Sequence, residues 1–250
     1  MRRTSLTVWI LIISGLTALP AQAQNAAYLQ GLYIASDGTA RKEAAGAEES
    51  VGLIHHELLR SMGMRSRGNT DLALSSLGDQ SAFGRVAAMQ SASDSNDVLV
   101  AVVLGGWQKD PKHVEFSSLL SAHPDSITLD YILNFMLFVP ARTTVLFVLA
   151  PSQFVFPLDL FEGQRPGVTG GGKYLVVLQP QNQRNFELSV DAFHELLERT
   201  GKSESGDSDK DGMLSMAEWL VLFGQLAKPE FTVLPYRIIE GPDIQLKQLQ

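Results

Sequence analysis

The strongest chemical signal in the chain lies in residues 207–218, which read DSDKDGMLSMAE, with carboxylates at Asp207, Asp209 and Asp211, glycine at Gly212 and a further acid at Glu218. These residues fill every specified position of the pattern D-x-[DN]-x-[DN]-G-x5-E. Acids at alternate positions of a tight loop converge their oxygens on one point. That is what a hard cation such as Ca²⁺, which takes six to eight oxygen ligands, demands of a protein. Met213 supplies a backbone carbonyl, Ser215 can hold a water, and Glu218 can close the shell with both carboxylate oxygens. Gly212 stands where the chain must turn sharply with positive φ, and Leu214 is the inward apolar residue. The expectation is an EF-hand-type loop holding one structural Ca²⁺. With no second loop of this type in the chain, the affinity expected is that of extracellular modules, about 10⁻⁴ to 10⁻³ M. The plainer alternative is a solvated Asp/Gly-rich turn between two helices.

Other chemistry is thinner. The 250 residues include no cysteine, which removes disulfides, zinc-thiolate sites, cysteine-ligated clusters and thiol nucleophiles. Ser152, with His113 as its base, is the one candidate for a non-cysteine hydrolase or peptidase site, drawn from 105–109 and 151–154. No G-x-S-x-G elbow surrounds Ser152 and no orienting acid is identifiable. His55 and His56 are adjacent on a helical pattern, so they face different sides and cannot share a metal as an i, i+4 pair does. The stretch GVTGGGK at 167–173 falls short of a phosphate loop, because Tyr174 stands where Ser or Thr is required and a strand follows instead of a helix.

Positioning the loop requires a scaffold, and the pattern of the chain predicts one. Short continuous apolar runs at 28–36, 97–104, 143–150, 174–178 and 231–239 read as strands buried on both faces. Amphipathic stretches lie between them. Val51, Ile54, Leu58 and Met62 form one stripe; Leu129, Ile132, Leu133 and Met136, behind a Thr128 cap and ahead of Pro140, form another. Ser189 reads as the cap of a helix carrying Val190, Phe193, Leu196 and Leu197, and Trp219, Leu222, Phe223 and Leu226 repeat the spacing after the loop. Phe83, Val86 and Met89 suggest a helix inside the Ser/Gly/Asp-rich segment 71–96. This order predicts an α/β domain, a mainly parallel sheet with helices on both faces, spanning 24–241 and including a helix-loop-helix at 189–226. Residues 242–250 read as a surface tail.

Arg2 and Arg3, the apolar run 6–19 and Ala21-Gln22-Ala23 are the three parts of a secretory signal, so 1–23 reads as a cleaved leader and the protein as exported, periplasmic or extracellular. No later run reaches the roughly 18 apolar residues of a membrane span. The formal charge of -7, with no long Lys/Arg run, speaks against nucleic acid as a partner.

The order of elements resembles the caspase-like fold of the caspase and legumain clan, in the bacterial form with a calcium-type loop after a late helix. The likeness is carried by YLQGLYIAS, AEESVGLIHHELLRSMGM, DVLVAVVLGGW, SITLDYILNFM, TTVLFVLAPSQ and DSDKDGMLSMAEW, spanning 28–226. It implies a catalytic His in Gly-His-Gly after the strand ending near Leu104, and a Cys nucleophile after the next. The chain reads Gly105-Gly106-Trp107 and Leu149-Ala150-Pro151-Ser152 at those positions, so neither residue is present. The resemblance therefore implies an inactive relative in which Trp107 and Pro151 fill the old site. Such a protein would act as a binding or scaffold module for another exported protein.

Overall fold

In the computed structural model, the described residues are 28–35, 52–73, 80–104, 129–150, 172–181, 186–203, 206–239 and 244–248. The predicted leader at 1–23, the expected cap residue Thr128, Trp107, His113, Pro151 and Ser152 lie outside them.

A six-stranded sheet forms the middle layer. Its strands are β1 (Leu29–Ala35), β2 (Ser66–Ala73), β3 (Val98–Leu104), β4 (Thr143–Leu149), β5 (Gly172–Pro180) and β7 (Phe231–Ile239), in the order β2-β1-β3-β4-β5-β7. All neighbours pair in parallel except β7, which runs antiparallel to β5 at one edge. A separate two-stranded ribbon joins β6 (Met213–Ser215) to β8 (Gln245–Gln248). The helices are α1 (residues 52–62), α2 (Gln80–Ala92), α3 (Leu129–Phe138), α4 (Phe186–Lys202) and α5 (Met216–Ala227).

The strand periodicity sorts the core into two layers. Along β3, Val98, Val100, Val102 and Leu104 join Ile54, Leu58 and Met62 of α1, together with α4 and α5, on one face. Leu99, Ala101 and Val103 join Val86 and Met89 of α2 and Ile132 and Phe135 of α3 on the other. Every residue of β3 and β4 is buried, which is why both read as unbroken apolar runs. Burying one Leu or Phe side chain fully stabilises the fold by about 1.5–3 kcal/mol, so these two strands anchor the molecule.

Three elements differ from the sequence expectation. No strand is expected over 66–73, where β2 lies; its sequence SRGNTDLA is polar because it is the edge strand, and of its side chains whose placement is described only Leu72 is buried. Asp97, fully buried immediately before β3, fixes this edge through a bidentate ion pair with Arg67, 2.5 Å from Nε. Helix α4 begins at Phe186, so Ser189 lies in its first turn and is not its cap. Within the expected tail at 242–250, the described residues 244–248 do not trail on the surface: Ile244 and Leu246 are 1% and 5% exposed, and β8 pairs with β6. A short polar strand has no signal of its own; it is made by its partner.

Candidate metal centre

The loop stands between α4 and α5, against the α1/α4/α5 face of the sheet. Helix α4 ends at Lys202, and residues 203–206 carry the chain to Asp207. Gly206 is there because the backbone passes close to two side chains: a Cβ would lie 2.7 Å from Leu214 Cδ1 and 3.1 Å from Leu222 Cδ2. Leu214, the inward apolar residue of the loop, is fully buried in the core.

The loop's turn is built as the spacing predicts. Gly212 takes φ 79° and Lys210 φ 61°, the left-handed region that lets the chain double back. Backbone amides then hold the acids. Asp211 N–H donates to Asp207 Oδ1 and Asp209 Oδ1, both at 3.2 Å; Gly212 N–H donates to Asp207 Oδ2 at 2.9 Å and Met213 N–H to Asp211 Oδ1 at 2.7 Å. The result is one carboxylate oxygen each from Asp207, Asp209 and Asp211 within 4.8 Å of one another. Oxygens at 2.3–2.6 Å from a Ca²⁺ lie at most about 5 Å apart across it, so this cluster has the size to hold such an ion.

Like charges this close perturb each other. The Asp211 N–H holds the Asp209 carboxyl down, but desolvation and the neighbouring Asp211 and Glu218 carboxylates outweigh it, leaving Asp209 above the ordinary aspartate range.

Glu218 is the third residue of α5, which starts at Met216. Ser215 is the N-cap. Its hydroxyl accepts from Glu218 N–H at 3.3 Å while Glu218 Oε2 accepts from Ser215 N–H at 3.0 Å, a capping box made from the ninth and twelfth loop positions. The other oxygen, Oε1, reaches back to the start of the loop, accepting from Ser208 N–H at 2.6 Å and Ser208 Oγ–H at 2.8 Å. Partial burial pushes the Glu218 carboxyl up, and the hydrogen bonds from Ser215 and Ser208 outweigh it and bring it down to about 2. Glu218 thus closes the loop end to end, although the convergent cluster itself comprises only the three aspartates.

The other sequence candidates separate. Lys173 of the GVTGGGK stretch lies inside β5, 2% exposed, its ammonium donating to Val139 O at 3.2 Å and Thr144 Oγ1 at 2.7 Å. It faces the core, not a phosphate. His55 is buried and His56 exposed, as adjacent helical positions require. Tyr33 Oη lies 2.6 Å from His55 Nδ1 and Ser66 Oγ 2.9 Å from Nε2. Burial and the Asp71 carboxylate hold the Tyr33 phenol well above its usual pKa, and among the described residues His55 is its one acceptor. Through these two contacts the imidazole joins α1 to β1 and β2 of the sheet.

No family model matches the chain, and no curated protein matches it. Among solved structures it is similar to the crystal structure of caspase-1 from Spodoptera frugiperda, with a TM-score of 0.52 and 11% identity over 94% of this chain and 95% of that one. The mixed sheet flanked by helices on both faces is a caspase-like fold. At this identity the likeness extends to the fold alone.

Proposed function

We propose that this chain is an exported, catalytically inactive caspase-like binding or scaffold module that carries one Ca²⁺ in the 207–218 loop. Asp207, Asp209, Asp211, the Met213 carbonyl, Ser215 and Glu218 are its ligands. The observation that carries this reading is the convergence of three carboxylates within 4.8 Å on a loop shaped by Gly212. A chain without cysteine supports the lack of thiol-protease chemistry, and the basic-apolar-small order of 1–23 supports export. The ion fixes the start of α5, whose Trp219 and Phe223 are fully buried in the core, so its role is structural: it holds a surface on which another exported protein binds.

The test is calorimetric titration of the chain with Ca²⁺, beside the Glu218→Gln and Asp207→Ala variants. A single site with Kd of about 10⁻⁴ to 10⁻³ M, lost in both variants, is the expected result. Absence of heat up to several times that concentration overturns the metal assignment. Cell fractionation tests export, and retention of the uncleaved chain in the cytoplasm rejects it.

A further inference from the structure

We infer that strand β8 stands in for the missing second loop: it is the pairing partner of the ion loop, and its docking and the binding of Ca²⁺ are one coupled equilibrium. The inference rests on the proposed Ca²⁺ site and names what regulates it.

A three-residue strand is not stable by itself, and in its ribbon β6 has one partner, β8. The pairing is antiparallel, Met213 opposite Gln248, Leu214 opposite Lys247 and Ser215 opposite Gln245, which covers the seventh to ninth loop positions. Beyond the ribbon, Met216 N–H donates to Ile244 O at 2.9 Å. That amide belongs to the first residue of α5, one of the donors a helix start cannot satisfy internally. Ile244 and Leu246 enter the same core cluster as Leu214 and Trp219. Gln245 faces the ion loop directly: its amide nitrogen lies 3.5 Å from Asp211 Oδ2, and its Oε1 is buried without a hydrogen-bond partner among the described residues.

The six proposed ligands differ in what holds them. Asp207, Asp209 and Glu218 are set by hydrogen bonds within the loop and its capping box alone. Asp211 is held by the Met213 N–H and also touches β8 through Gln245, while Met213 and Ser215, the latter also the capping-box serine, belong to the strand that β8 pairs. Undocking β8 removes one of the supports of these three ligands. By linkage, whatever factor β8 contributes to Ca²⁺ affinity, Ca²⁺ returns to β8 docking.

Two measurements test this. In calorimetric titration with CaCl₂, Leu246→Ala and Gln245→Ala weaken binding relative to the unmodified chain, Leu246→Ala by at least about 5-fold, the lower end of ordinary coupling. In the unmodified chain, saturating CaCl₂ slows amide hydrogen exchange across 244–248, and in Glu218→Gln it does not. If Leu246→Ala does not fold, Gln245→Ala and the exchange data decide. Binding by the unmodified chain that both β8 variants retain in full, or exchange at 244–248 indifferent to Ca²⁺ while calorimetry shows the ion bound, overturns the coupling and leaves the Ca²⁺ site standing. No binding by the unmodified chain overturns the Ca²⁺ site and the coupling together.

Discussion

The Glu218 carboxylate accepts from Ser215 at one oxygen and from Ser208 at the other, so a cation that takes both oxygens must displace the Ser208 donors. Ser208 therefore stabilises the ion-free loop. Ser208→Ala removes the hydroxyl bond from that state alone, and calorimetry should show Ca²⁺ affinity rising roughly 2- to 10-fold, the worth of one such bond; unchanged affinity would mean the two do not compete. A second residue acts through charge. Lys173 is buried with a carbonyl and a hydroxyl for company, and among the described residues no carboxylate pairs with it. Desolvation lowers its pKa to about 8. Because that lies below the value in the unfolded chain, the cost of burying the charge is fully present below pH 8 and is relieved as pH rises toward the unfolded value. Urea unfolding should show a contribution rising by about 1.5 kcal/mol between pH 8 and 9.5. The Lys173→Met chain should lack that rise; an equal slope in both proteins would assign it elsewhere.

At the scale of elements, the start of α5 joins loop and helix. Ser215→Ala removes the N-cap and should lower stability by about 1 kcal/mol when measured in EDTA, where no ion confuses the comparison; Ser215→Asp, an equally good cap, should restore it. Loss in both variants would point to the hydroxyl's size instead of its cap. What the sequence displays, and what it hides, follows from how each element is stabilised. β3 and β4 are legible because burial on both faces demands continuous Val and Leu, and the stripes of α1 and α5 are legible because one helix face meets the sheet. β2 carries little apolar signal, since Arg67 and the buried Asp97 fix it as much as packing does. β8 is legible only through Leu246 once its partner is known. The loop is the clearest motif in the chain because its pattern specifies residue type position by position. The Ser208 bond to Glu218 and the Gln245 contact with Asp211 involve no motif and emerge only from the fold.

Across the whole molecule, the loop is not an appendage, because one face of its exit helix is buried in the core. Phe147 of β4, an inner strand of the sheet, packs against Phe193 of α4 at 5.8 Å and against Trp219 and Phe223 of α5 at 6.2 and 5.3 Å between ring centroids. Trp219 and Phe223 stack at 5.2 Å. A perturbation at Glu218 thus reaches, through one turn of helix and one aromatic cluster, a strand bonded to both β3 and β5. The cavity that truncating Phe147 to Ala would leave is expected to cost about 3–5 kcal/mol, a large share of the stability of any single domain. If loop and core form one cooperative unit, an ion that binds only the folded state stabilises all of it by RT ln(1 + [L]/Kd), about 2.7 kcal/mol at a hundredfold excess. Thermal unfolding followed by far-ultraviolet dichroism and by tryptophan fluorescence should then give coincident curves in EDTA and, with excess Ca²⁺, the same single transition moved upward. A main transition that stays fixed while Ca²⁺ shifts only a smaller, earlier one would show that α5 and the loop unfold as a separate unit, and that the Phe147 cluster is too weak to carry ion binding into the sheet.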